Sequence, residues 1–348
     1  MTIKTNWLPS ILYTKSLNFL SILSLILKEE TWLLNGLEVS SRVQQCAMLA
    51  VLLEVSGYPK PGNVHRTRDV PKTRYEHFLA GAVAIGPSIR EAALSGYLVA
   101  SKERDLRETG VGKHILRAVY DTLAWQRGGN VNLGTILLFV PLAVAAGIVF
   151  SNDRVRVGEL RESVKRVMEN TTSKDTLAVY EAIGAANPGG LGRVEQYDVT
   201  DRSTKSLIEE EDVALRDVFR ISAGWDDISK EWVTGMKITF EIGYPAFLKV
   251  YGESKDVNTA TVHTFLEILS KNPDSLIQRK AGREKAVEVS ERAAEILKEG
   301  GLLGERGRAM CWALDEELHR YKGKLNPGTT ADLTASSIFV ALLGGFRF

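Results

Sequence analysis

Cysteine is nearly absent from this sequence: Cys46 and Cys311 stand alone, each in an apolar, helix-like stretch. Two isolated thiols exclude a disulfide framework and offer no zinc spacing. They point instead to buried thiols in a reducing, cytoplasmic compartment. An excess of charge of one sign is missing too. The 44 Lys and Arg residues face 43 Asp and Glu, for a formal net charge of +1, which excludes a broad electrostatic footprint for nucleic acid. Any polyanion must therefore be met by a local cluster. The histidines (His65, His77, His114, His263, His319) show no HxxxH or HExxH spacing, which argues against a zinc enzyme. Neither GxSxG, nor a Walker loop, nor a strand-linked GxGxxG occurs, so covalent serine chemistry and the specific nucleotide motifs are not indicated.

Long apolar runs are few. Residues 17–27 form one, preceded by Lys15, but it is too short to span a bilayer. Lys28-Glu29-Glu30 follows it rather than a small-residue cleavage site. Residues 1–35 are read as an apolar or amphipathic N-terminal extension. The run at 133–150 contains Pro141 and two glycines and reads as a core helix. No stable membrane insertion is expected.

Alternating apolar and polar runs are scarce, and no hairpin dipeptide separates two strand-like segments. What is present is helical periodicity. Val39, Val43, Cys46, Ala47, Ala50 and Leu53 form one stripe, and Ala286, Val289, Ala293, Ile296 and Leu297 another. Residues 76–101, 111–126, 133–150, 157–170, 174–186, 209–222, 228–250, 260–270 and 308–321 also read as helices. The expected class is all-α, with one multi-helix domain over 36–348. Glycine and proline gather in the connections, at 59–62, 128–129, 188–192, 300–301 and 327–328, which are expected to form one active-site face.

The richest connection runs from Glu54 to Asp69 around Pro59-Lys60-Pro61-Gly62. Two prolines stiffen it, and Lys60, Arg66, Arg68, Lys72 and Arg74 follow one another within a short span. Such a cluster can neutralise a polyphosphate, Arg by forked hydrogen bonds and Lys as a point charge. A solvated basic loop is the competing reading. Gly128 to Thr135, carrying Asn130, Asn132 and Gly134, opens the apolar helix as a glycine-rich turn suited to an anion, or simply as an asparagine-capped turn. A third glycine loop runs from Asn187 to Arg193. In the fourth, Asn326 to Asp332, Thr329 or Thr330 could cap the next helix. Asp226-Asp227 and Asp274, the latter ahead of Arg279, suit metal or acid–base work, with helix capping as the alternative.

In this order the segments resemble the triphosphoribosyl-dephospho-coenzyme A synthase family over roughly residues 38–345. Glu54-Val55 through Pro59-Lys60-Pro61-Gly62-Asn63-Val64 is similar to its EV…PKPG-x-V signature. Asn130 to Gly134 falls where the family has NTHKG, and Pro188 to Gly192 resembles PGGLG. His263 to Leu266 with Asp274 and Arg279 resembles an HTLL…D…R stretch, and Asn326 to Asp332 the closing SPGGSAD. The resemblance implies attack by the 2′-hydroxyl of dephospho-coenzyme A on the anomeric carbon of ATP's ribose, with loss of adenine. It implies Mg²⁺ with ATP, phosphate or substrate contacts from Lys60, Gly62, Arg66, Asn130, Asn132, Gly134, Arg279, Gly328 and Thr329, and carboxylate roles for Glu54, Asp274 and Asp332. Asp226 and Asp227 are the candidate metal ligands. Val131, Asn132 and Leu133 replace the family's Thr-His-Lys, which implies a divergent branch with the acceptor left open. Two other functions compete: a Mg²⁺-dependent nucleotide phosphohydrolase, and a non-catalytic nucleotide- or CoA-binding protein.

Overall fold

The helix at the centre of the molecule is the most apolar one. In this computed structural model, which describes residues 35–150, 154–189, 194–201 and 203–348, Leu133–Val149 (α5) buries nearly every side chain from Leu133 to Gly147. A helix that is apolar all round has no solvent face and must be surrounded. The first helix, α1 (35–56), ends just before the Pro59–Gly62 loop. Then come α2 (Tyr75–Ala84), α3 (Gly86–Ala100) and α4 (Val111–Trp125), all before α5. After it follow α6 (Val157–Glu169), α7 (Ser173–Ala186), α8 (Thr204–Glu210), α9 (Leu215–Ser222) and α10 (Asp227–Thr234). A π turn, Thr239–Gly243, leads into α11 (Tyr244–Ser254), α12 (Val257–Lys271), α13 (Ser275–Ala281), α14 (Arg283–Lys298), α15 (Glu305–Arg320) and α16 (Gly328–Leu343). No strand occurs among the described residues, only the isolated bridges His65–Arg68 and Val70–Thr73. The all-α expectation holds.

Glycine sets how closely the central helices approach. A Cβ on Gly96 of α3 would lie 1.9 Å from the Val144 carbonyl oxygen of α5, and one on Gly147 of α5 would lie 1.9 Å from the Ala93 oxygen of α3. The two helices thus cross backbone to backbone. Around them one apolar cluster joins α1, α3, α4, α5 and α16, with Phe139 and Phe339 in ring contact at 4.6 Å between centroids. A second cluster, with Phe265, Leu269, Val289 and Leu314, packs α12, α14 and α15.

Three expected helices are interrupted, each for a local reason. The one at 76–101 divides at Ile85, because Pro87 has no N–H to offer the Val83 carbonyl. The one at 209–222 starts earlier and divides into α8 and α9. Four acids, Glu209 to Asp212, crowd the negative end of α8, and Asp212 turns left-handed with φ 48°. The one at 228–250 stops at Gly235, φ 64°, and resumes after the buried Glu231 carboxylate accepts the Ile238 and Thr239 amides at 2.7 and 2.9 Å. The short α13 is not one that periodicity predicts. The 1–35 extension lies outside the described residues apart from Asn35, as do Gly190 to Arg193 of the third glycine loop. No helix among the described residues is long and apolar enough to cross a membrane.

Candidate active site

The N-termini of α5, α10 and α16 open onto one cavity of about 530 Å³. The helix dipole makes each such end favourable to negative charge. The lining includes the carboxylates Glu54 and Asp332 with Asn132 and Thr135, the cations Arg279, Lys280 and Lys322, and the rings of Tyr180, Tyr197, Phe219 and Trp225.

Asp332 sits in the second turn of α16, facing the start of α5. Thr135 Oγ1 donates to its Oδ1 at 2.5 Å. Gly134 leaves room for it, since a Cβ there would lie 2.1 Å from Asp332 Oδ2 and would push the carboxylate aside. Burial pushes the Asp332 carboxyl up to about 7; the Thr135 hydrogen bond opposes this and the nearby Glu54 charge adds to it. An acid poised there can exchange a proton at neutral pH.

Glu54 lies in the last turn of α1 and is nearly fully buried. Lys60 donates to the Glu54 carboxylate and, at 2.9 Å, to its backbone carbonyl. Burial acts against both charges, raising Glu54 and lowering Lys60, while their contact opposes each shift. Lys60 is wholly inaccessible and absent from the cavity lining. The expectation of direct phosphate binding by Lys60 therefore does not suit this geometry: the ammonium is the buried counter-ion of Glu54. Arg66 lies elsewhere, stacked 4.1 Å from the Tyr58 ring centroid and donating to Asn258 Oδ1 at 3.0 Å. Gly62, φ 73°, packs against Leu325 and donates its N–H to Asp315 Oδ1 at 3.0 Å. The basic loop reaches the cavity through Glu54, Asn63 and Val64 instead.

Asp274 holds two helices in place. Its Oδ1 accepts the Leu276 and Ile277 amides at 2.9 Å each, capping α13. Its Oδ2 accepts the Thr330 amide at 2.7 Å and the Thr330 hydroxyl at 2.8 Å in α16. With both oxygens occupied and no place on the cavity wall, it suits a structural role rather than that of a base. It also does the capping expected of Thr329 or Thr330. Thr329 instead accepts the Ser275 hydroxyl at 3.0 Å, and Gly328 packs on Leu276; both line the cavity.

Asp226 and Asp227 are separated in role. Asp226 caps α10 through the Ser229 amide at 2.9 Å and pairs with Arg279, while Asp227, off the cavity wall, faces Lys230 at 3.7 Å. Burial, aided by Asp274 and Asp226, pushes Asp227 up to about 6. Asn130 caps α5 through the Leu133 amide at 3.1 Å. Asn132 is nearly fully buried and its amide nitrogen has no protein partner. Sequence reasoning overlooked Thr135, Lys280, Lys322, Tyr197 and Trp225. Thr135 and Lys280 carried a signal, since each directly follows a candidate residue, Gly134 and Arg279, but nothing local links the others to the site.

A helical body whose helix N-termini, cations and carboxylates converge on one cavity defines an enzyme class that handles a small polyanion. Residues 40–347 match the CitG family, ATP:dephospho-CoA triphosphoribosyl transferase, and the chain belongs to that family. Among its relatives, the "Probable 2-(5''-triphosphoribosyl)-3'-dephosphocoenzyme-A synthase" of Salmonella gallinarum is 24% identical over 303 residues, covering 84% of this chain and 87% of that protein. The 2-(5''-triphosphoribosyl)-3'-dephosphocoenzyme-A synthase of Escherichia fergusonii is 22% identical over 300 residues, with 84% and 88% covered. The "Crystal structure of putative triphosphoribosyl-dephospho-coA synthase from Archaeoglobus fulgidus" superposes with a TM-score of 0.57 at 30% identity, covering 77% of this chain and all of that one.

Proposed function

We propose that this cavity transfers the triphosphoribosyl group of ATP to dephospho-coenzyme A with release of adenine. The observation that carries the reading is the convergence of three helix N-termini and the cations Arg279, Lys280 and Lys322 on the cavity that also exposes Asp332. The helix N-termini and cations suit a triphosphate that must be held without cleavage. The aromatic rings suit a flat base.

In the transfer, the acceptor's 2′-hydroxyl oxygen bonds to C1′ of the ATP ribose as the bond from C1′ to adenine breaks. Asp332 takes the hydroxyl proton, and the departing adenine takes one up, from Asp332 or water, so protons balance. The triphosphate stays intact. Thr135 holds Asp332 in position, and the Glu54–Lys60 pair supplies a carboxylate without a net buried charge.

Mg²⁺ is the companion of the triphosphate in this reading. The donor set fits a hard cation: Glu54 gives Oε1 to Lys60 but offers its other carboxylate oxygen on the cavity wall, and crowding of like charge between Glu54 and Asp332 is relieved by a cation. The Asp226–Asp227 pair fits poorly, because Asp226 is engaged by Arg279 and Ser229. When bound, the ion would neutralise phosphate charge and tie the triphosphate to Glu54. Residues 36–348 serve as one helical domain with 1–35 as an extension. The two buried free thiols suit a cytoplasmic setting.

The test is product analysis with Mg-ATP and dephospho-coenzyme A. Free adenine and a triphosphoribosylated acceptor are expected. ADP, AMP or orthophosphate as the sole products would replace this reading with a phosphohydrolase, and binding of both nucleotides without any turnover would replace it with a binding protein.

A further inference from the structure

Away from the cavity lining, three potential metal ligands from distant parts of the chain meet. His65, on the loop after Gly62, and Asp315 and His319, one turn apart on α15, each offer an atom within 4.8 Å of the other two. His65 and Asp315 are fully inaccessible and the His319 side chain nearly so. His65 Nε2 lies 3.2 Å from Asp315 Oδ2, and His319 Nδ1 lies 3.1 Å from Asp315 Oδ1. Ligand atoms about 2.1 Å from a tetrahedral ion stand roughly 3.4 Å apart, so two of the three edges are already close to that spacing. Behind His65, Nδ1 meets the Thr67 backbone N–H at 3.4 Å and the Thr67 hydroxyl at 3.1 Å; an ion on Nε2 would move the ring proton to Nδ1, where the hydroxyl can turn to accept it. His319 Nε2 is buried with no partner.

We propose that His65, Asp315 and His319 form a binding site for a divalent transition-metal ion of the zinc type, which ties the loop after Gly62 to α15. A polar recess lined by Arg68, Asp69, Glu316, His319 and Arg320 adjoins the cluster and can supply a water as the fourth ligand. An ion must displace the Arg68 guanidinium, 3.3 Å from Asp315 Oδ2 and more than one-third exposed, and the hydrogen bond that His319 Nδ1 donates to the Asp315 carbonyl oxygen at 2.9 Å. Gly62 N–H also rests on Asp315, so the ion would brace the loop that carries Lys60 without touching substrate.

The full-length protein, stripped with chelator, is titrated with Zn²⁺ and with Co²⁺, whose visible bands report tetrahedral coordination. One equivalent bound per chain, with a raised Tm, is expected. Thr67→Val should weaken affinity about 10–100-fold, the usual cost of losing a group behind a ligating histidine. His319→Ala should weaken it at least that much, and Arg68→Ala should tighten it. The Thr67 and Arg68 variants leave all three ligands intact, so they decide the matter even if His319→Ala fails to fold. No uptake of either ion by the wild type, or uptake unchanged in Thr67→Val and Arg68→Ala, overturns the assignment.

Discussion

Replacing Thr135 by Val removes the hydroxyl that donates to Asp332 while keeping nearly the same shape. Asp332 already titrates near about 7 because burial and Glu54 disfavour its charge, and Thr135 is the hydrogen bond working in the other direction. A hydrogen bond to a charged group is worth about 1.5–3 kcal/mol. At about 1.4 kcal/mol per pH unit, its loss should move the group up by roughly 1–2 units. If Asp332 accepts the acceptor's proton it must be ionised, so the rise of kcat/KM with pH should shift upward by that amount. At pH 7, where the wild-type group is half ionised, the variant should lose roughly 5–50-fold, and it should recover toward the wild type on the alkaline plateau. Stability has a matching sign. Asp332 has a folded pKa above its unfolded value, so its protonated form favours the fold, and stability falls as pH rises from the unfolded value through the folded one. Thr135→Val should widen that loss, making the variant's Tm deficit grow above neutrality. The assay is adenine release followed across pH, with Tm measured on the same samples. A uniform loss of kcat/KM at every pH, with no shift of the acid limb, would refute the role given to Asp332 and Thr135.

Other perturbations read the remaining parts of the site. Lys60→Met strands the buried Glu54 carboxylate and should cost about 3–5 kcal/mol in urea unfolding near neutral pH, with most of it restored by adding Glu54→Gln; a cost well below that range would contradict the buried pair. Arg279→Ala should raise KM for ATP about 10–100-fold with a smaller effect on kcat, as expected for one charged hydrogen-bonding group, and Arg279→Lys should restore it only partly. Trp225→Ala should raise KM about 5–100-fold if a base stacks on this exposed ring, and Trp225→Phe much less; tryptophan quenching by ATP should disappear with it. Asp274→Ala should lower stability by about 1–4 kcal/mol, since two helices lose their caps together, and an intact Tm would show the caps to be dispensable.

The helical class, the central apolar helix and the glycine-bearing connections are all legible in the chain before it folds, because each is written in local order. Periodicity reveals a buried face, and an apolar run with no polar side must lie inside. Resemblance to the family was also legible, since it rests on ordered short motifs. Roles within those motifs were not. Lys60 looks like a free cation in a basic loop until the fold buries it against Glu54. Asp274 looks like an acid–base candidate until α13 and α16 are seen to share its two oxygens. Thr135 and Asp332 are 197 residues apart, and the lining lysines come from α13 and the turn after α15. His65 and His319 share no sequence spacing, yet both reach Asp315. Charge state and accessibility depend on what a side chain faces across the molecule, and that is set by the packing of distant helices.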